Sequence, residues 1–179
     1  GSVDGLATIE ADILFENEAS GSIGSPSFPT QRYQSFQNAS FVIAGSPNTN
    51  VKEWDMKIDN GAKALRTLAG VATLTDIYAP DAIMITGGFH AYFADATERN
   101  KFLANTATTI QVLSIGANIA STYYYTININ VYEAHYKAYP YGDDAGLLSA
   151  KATYEGYYAT GSSKAIDVAI TNTDVSYVS

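Results

Sequence analysis

The 179-residue chain has no cysteine and only two histidines, His90 and His135. The first absence excludes a disulfide framework, a thiolate metal site and a cysteine nucleophile. The second leaves little for a zinc centre, which takes three or four protein ligands. Cations are scarce too: ten Lys and Arg stand against eighteen Asp and Glu, a formal charge of −8. Proteins that grip phosphates gather Lys and Arg on one face, so this balance repels nucleic acid. No apolar run approaches the roughly 18 residues of a membrane-spanning helix, and the N-terminus lacks the basic and apolar regions of a signal peptide. Gly1-Ser2 reads as the scar of a cleaved tag. A single domain is expected over residues 3–179, and its abrupt start fits the C-terminal part of a longer protein.

What the chain does have points to sheet. Charged residues are only 16% and hydrophobic ones 46%, enough to bury a sizeable core without metals or disulfides. Tyr, Thr, Ser, Ala and Ile are abundant, a mix suited to pleated surfaces. Ala7, Ile9, Ala11 and Ile13 alternate with polar residues, the period of a half-buried strand ending near Asn17. Trp54, Met56 and Ile58 oppose Glu53, Asp55 and Lys57 in the same way, up to the turn signal Asp59-Asn60-Gly61. Ala62–Thr75 is ambiguous between helix and strand. Ile83, Ile85, Phe89, Ala91 and Phe93 share one face of a strand whose Gly87-Gly88 signals a bulge or a close backbone approach. Asp95 and Glu98 suggest a helix start, giving a single helix over 96–104 with Phe102 and Leu103 packed inwards.

Further strands are expected over 41–44, before a turn at Ser46-Pro47-Asn48, and over 108–115 and 122–134. After a turn at 140–144, two more run over 148–155 and 165–172. About eight strands in all predict a mainly β fold, a sandwich or barrel with one short flanking helix. Residues 18–38 break the pattern: they are rich in Ser, Gly and Pro yet carry Ile23, Phe28, Tyr33 and Phe36. An aperiodic stretch that long inside a domain is generally a binding element or disordered, and the aromatics favour binding.

Catalysis finds no foothold. His135 and Glu133 share a strand face, but no third ligand completes a metal site. Asp143-Asp144 lies in a Gly-flanked turn without calcium-loop spacing, so a solvated turn is the better reading. Gly161-Ser162-Ser163-Lys164 has the wrong order for a phosphate loop and reads as a hairpin turn. Asn38-Ala39-Ser40 matches the glycosylation sequon, which short chance matches also do. No nucleophile elbow, zinc-protease motif or dinucleotide fingerprint occurs. The fourteen tyrosines cluster at 123–125, 132–141 and 154–158. They admit three readings: sheet packing, a subunit interface, or a platform for sugars.

Val51–Asn60 (Val-Lys-Glu-Trp-Asp-Met-Lys-Ile-Asp-Asn) resembles the strand ending in Ile-Asp-Asn of the tail tube proteins of long-tailed bacteriophages. Ile85-Thr86-Gly87-Gly88-Phe89 and Tyr92-Phe93-Ala94-Asp95 resemble that family's strand running into a short helix, here ending near Phe102. Thr126–Tyr139 and Ile166–Asn172 resemble strands that follow. The resemblance implies a virion structural protein with no enzymatic activity and no cofactor. Its expected partners are further copies of itself, in hexameric rings that stack into a tube, and other tail proteins. DNA passes through without being held, and no membrane is involved. The chain would reside in the host cytoplasm before assembly and in the phage tail after it.

On that reading segment 18–38, with Ile23, Phe28, Tyr33 and Phe36, is the candidate inter-subunit arm. Glu53, Asp55 and Lys57 are candidate lumen-facing residues, since a net-negative wall keeps a polyanion mobile. The alternative is a carbohydrate-binding β-sandwich module, to which the tyrosine clusters would supply stacking surfaces.

Overall fold

A computed structural model of the chain describes residues 10–12, 38–65, 76–78 and 83–173. Its elements in chain order are β1 (Ala39–Ile43), β2 (Ser46–Pro47), β3 (Val51–Asp59), β4 (Lys63–Leu65), β5 (Asp76–Tyr78), β6 (Met84–Tyr92), α1 (Thr97–Leu103), β7 (Thr108–Ala120), β8 (Tyr123–Ala138), β9 (Tyr141–Asp144), β10 (Leu147–Tyr157) and β11 (Ile166–Thr171). The expected strand over 7–17, apart from residues 10–12, lies outside the described residues, as do Ile23, Phe28, Tyr33 and Phe36.

Among the described residues the fold is mainly β with one short helix, as the sequence predicts, but there the architecture is neither two packed sheets nor a closed barrel. Nine strands form one antiparallel sheet in the order β2-β1-β7-β8-β10-β6-β3, with β11 added to β8 and β9 to β10; β4 and β5 pair separately. The sheet curls over itself. Phe41 on β1 and Phe89 on β6 are four strands apart in that order, which in a flat sheet would separate them by about 19 Å. Their ring centroids lie 5.3 Å apart. Inside the curl Ile43, Ile85, Ile110, Val112, Val131, Ala152 and Tyr154 complete the core, with Trp54, Met56 and Phe102 packed on it.

The strand alternation read from sequence holds on β3 and β6. On β6, Ile85, Phe89 and Ala91 are buried, and Gly87 occupies the same face. The Tyr154 ring fills the place a side chain would take there: a Cβ on Gly87 would sit 2.6 Å from Tyr154 Cζ and 2.6 Å from the Asp55 carbonyl oxygen. Of the two readings of Gly87-Gly88, close approach is therefore correct, and the β6–β10 register runs through it without interruption.

β8 departs from simple alternation. Val131 pairs with Ile110 but Ala134 pairs with Thr108, so one extra residue is inserted at Tyr132–Glu133. This bulge shifts the inward set from odd to even numbers, and Ala134 and Tyr136 are the buried residues beyond it. β8 also outruns its neighbours. Its C-terminal half pairs with β10 and its N-terminal half with β11, while β7 follows it on the other side. The result is a three-stranded extension of the curled sheet.

Two turns sit one or two residues from where the sequence signals place them. The reversal after β1 is Ala44-Gly45 and that after β9 is Ala145-Gly146, all four with positive φ, the two-residue hairpin geometry whose twist matches that of the strands. Residues 46–47 and 141–144 are strands in consequence. Gly161–Lys164 is a turn as expected, closed by the Ala159 N–H donating to the Lys164 carbonyl at 3.0 Å. Asp95 acts at the start of α1, its carboxylate accepting the Thr97 N–H at 2.7 Å. Phe102 packs inwards, but Leu103 does not: it is 63% exposed.

Candidate assembly surfaces

Among the described residues, a hydrogen bond and a stacked aromatic pair hold the helix to the sheet. The buried Tyr136 hydroxyl donates to Glu98 Oε2 at 2.6 Å, and Lys101 Nζ holds the other carboxylate oxygen at 2.8 Å. Burial first, and the Glu98 carboxylate second, push the Tyr136 phenol well above its ordinary range. Phe102 stacks on Tyr139 with centroids 6.5 Å apart. Tyr139 also meets Tyr136 and Tyr141, and Tyr141 meets Phe93. Partial burial pushes the Tyr139 phenol up to about 12. The tyrosine cluster at 132–141 is thus largely packing between sheet and helix. Tyr123 and Tyr158, by contrast, stand out in solvent.

Glu53, Asp55 and Lys57 lie together on the outward face of β3, as their spacing predicts, while Trp54 and Met56 pack against the core. Their surroundings are of mixed sign. His90 on β6 has its ring nitrogens 4.0 Å from Glu53 Oε2 and 4.0 Å from Asp144 Oδ2. Lys151 on β10 stands across from His90 in the ladder. Lys57 Nζ lies 3.4 Å from Asp59. Asp55 leans over Gly88, where a Cβ would come within 3.1 Å of its carboxylate. The three candidate residues therefore sit in a lattice of both charges.

Ion pairs that the sequence did not reveal organise the same face, because their partners are far apart in the chain. Lys52 Nζ bonds Asp144 Oδ2 at 3.0 Å; the hydrogen bond raises the lysine above its usual value and lowers the aspartate below its own. Asp144, weighed from sequence as part of a solvated turn, is instead a tie between the β9–β10 hairpin and the edge strand β3. Lys137 Nζ bonds Glu155 at 2.8 Å and lies 5.5 Å from the Tyr157 ring centre, while the Tyr157 hydroxyl donates to the same carboxylate at 2.7 Å. These bonds, Lys137 first, hold Glu155 below its ordinary range. His135 and Glu133 do meet, at 3.4 Å, and the other ring nitrogen lies 3.1 Å from Asn105 Oδ1. No group of three or more His, Asp or Glu among the described residues is placed to hold a metal ion.

Beyond the core the three-stranded extension has two unlike faces. Ile127 and Ile129 of β8 stand opposite Ile170 and Val168 of β11, an apolar strip of which Val168 and Ile170 are exposed. The other face is mixed where β7 meets β8: Gln111, Leu113 and Ile115 stand opposite Asn130, Asn128 and Thr126, and Gln111 Nε2 donates to Asn128 Oδ1 at 2.9 Å. Open sheet edges and exposed apolar strips are features through which sheets commonly meet other proteins.

A family model described as phage tail tube protein matches residues 1–176. The chain belongs to that family. The fold of this tail tube chain recurs in solved structures at low sequence identity. A chain of the tail of an empty gene transfer agent particle, refined with helical C6 symmetry, matches at a TM-score of 0.52 and 12% identity, covering 78% of this chain and 99% of that one. A chain of the anti-feeding prophage cap, which terminates that tube, matches at 0.54 and 9% identity, over 82% and 97%. No curated protein sequence matches the chain. Its role is that of a structural tail tube protein.

Proposed function

We propose that this tail tube protein assembles by itself into closed rings, six copies to a ring, that stack into a conduit for DNA, and that it carries no catalytic activity. The observation that carries this reading is the match of the tail tube family over residues 1–176. The sixfold number is supported by the C6 symmetry of the gene transfer agent tail, whose chain shares the fold. Physically, a sheet with two unlike edges suits head-to-tail association, which closes into a ring when the rotation per copy allows it. Other tail proteins cap and terminate the tube, and the chain resides in the host cytoplasm before assembly.

Within that reading Glu53, Asp55 and Lys57 face the lumen. The −8 formal charge of the chain keeps the wall repulsive to a polyanion, while Lys57, Lys137 and Lys151 on the same outward face keep the repulsion moderate. Reversing Glu53 and Asp55 to lysine should leave melting and tube formation unchanged and slow DNA ejection from particles carrying the variant. Ejection at the normal rate would remove this assignment. The segment with Ile23, Phe28, Tyr33 and Phe36 serves as the arm between rings; deletion of Ser25–Gln34 should leave a folded domain that no longer stacks, and normal tubes from it would refute the role.

A further inference from the structure

The β9–β10 hairpin ends in an exposed tip on which Asp143 and Leu148 are paired directly across the ladder. Side chains so paired have Cβ atoms about 5 Å apart on one face of the sheet. Leu148 is 52% exposed. Asp143 accepts the turn hydrogen bond from the Gly146 N–H at 3.1 Å and has no ion pair among the described residues, since the ion pair of this hairpin belongs to Asp144 and Lys52.

Helix α1 presents a matching pair. Arg99 and Leu103 are four residues apart, which makes them neighbours on one helix face at about 5–6 Å between Cβ atoms. The helix is tied to the sheet by Glu98 and Phe102. Arg99 and Leu103 are both exposed, and Arg99 has no ion pair among the described residues. One site thus offers an acid beside a leucine, and the other offers a guanidinium beside a leucine at nearly the same spacing. No ion pair joins them within the chain.

We propose that the β9–β10 tip of one copy docks on the outward face of α1 of a second copy, Asp143 against Arg99 and Leu148 against Leu103. This rests on the tail tube reading above and assigns it a specific contact between copies. The contact is heterologous, two different patches meeting, so it propagates from copy to copy as a ring requires. It also gives a reason for Leu103 to lie outside the core. The pair is small beside the 1,200 Å² or so of a stable interface, so it acts as a register contact within a larger one: complementary charge fixes orientation and excludes wrong partners.

The test is a charge swap in the full chain. Arg99→Asp, Asp143→Arg, the double variant and the unaltered protein are compared by sedimentation velocity and negative-stain electron microscopy across a concentration series, with circular dichroism to confirm folding. Each single reversal should raise the concentration at which rings appear by roughly tenfold or more, because like charges then face each other at every interface of the ring. The double variant should assemble close to the unaltered protein. Should Asp143→Arg fail to fold, Asp143→Asn keeps an oxygen for the Gly146 N–H while removing the charge, and it should weaken assembly alone but not further when combined with Arg99→Gln. Normal assembly of the single variants, or a double variant no better than the worse single, overturns the proposed contact and leaves the tail tube reading standing. An unaltered protein that stays monomeric at every concentration overturns both, and capture of Arg99 by a different protein with no self-assembly would do the same.

Discussion

Replacing Gly87 by alanine should destabilise the chain far more than its small added volume suggests. The new methyl would collide with the Tyr154 hydroxyl and lie 2.6 Å from both Tyr154 Cζ and the Asp55 carbonyl oxygen. Neither neighbour can give way cheaply. Asp55 is held in the β3–β6 ladder, and Tyr154 is only 1% exposed with Ile85 and Val131 among the most buried side chains of the same core. Overpacking of a core costs about 1–3 kcal/mol, which for a chain of this size lowers the melting temperature by about 2–4 °C per kcal/mol. Gly87→Ala should therefore melt about 2–12 °C lower than the unaltered protein. Tyr154→Phe provides the control. The Tyr154 hydroxyl has no hydrogen-bond partner among the described residues, so its removal should be neutral or stabilising within about 1 kcal/mol. In the Tyr154→Phe background the alanine should cost less, because the nearest of its colliding atoms is gone while the other two remain. Thermal melts of the four proteins complete the cycle. A Gly87→Ala protein as stable as the parent, or costs that simply add, would refute this account of why the strand carries glycine at its centre.

Glu98→Ala should loosen α1 by about 1–3 kcal/mol, since it leaves the buried Tyr136 hydroxyl without its acceptor; Glu98→Gln, which keeps an acceptor, should cost less, and urea unfolding of the two variants checks the order. Acid should destabilise the fold in a defined direction. Asp144 and Glu155 are held below their ordinary values by Lys52 and Lys137, so the unfolded chain binds more protons than the folded one. Their stabilisation is fully present above the ordinary carboxyl values of about 4 and is lost as the pH falls through the lowered folded ones. Melting temperatures should be flat from neutral pH to about 5 and decline below it, with a smaller decline in Lys52→Met; a variant that falls as steeply as the parent would exclude Asp144 as a contributor.

Local alternation and turn chemistry made much of this fold legible. Trp54 and Met56 against Glu53 and Asp55, and Ile85, Phe89 and Ala91 on one face of β6, follow directly from period two. Gly87-Gly88 admits a bulge or a close approach from sequence; the side chain that makes it a close approach, Tyr154, comes from β10 and cannot be named from β6 alone. The bulge at Tyr132–Glu133 carries no comparable signal. The extra residue is accommodated by pairing with β7, and only the ladder shows where the inward set changes. The hairpin after β9 was misplaced because Pro140 and the acidic pair are strong turn formers, while Ala145 adopts positive φ despite its poor preference for it. Leu103 was assigned to the core because apolar residues at a helix end usually go there; with Phe102 already seated on Tyr139, the helix has turned it outwards.

The curl of the sheet escaped the sequence for a more general reason. Phe41 meets Phe89 only because five strands bend together, a property of all their pairings at once. The candidate surfaces divide similarly. That Glu53, Asp55 and Lys57 share a face was readable, but charges interleaved with them, Lys151 and the Asp144 partner of Lys52 among them, arrive from strands distant in the chain.

The central claim, that this tail tube chain makes rings and tubes from copies of itself, is tested most directly by negative-stain electron microscopy of the purified protein over a concentration series with mass by light scattering alongside. Rings and stacked tubes about 10 nm across, two to three times the roughly 4 nm of a compact chain this long, are expected, with a sixfold mass step. A protein that remains a monomer at every concentration would contradict it.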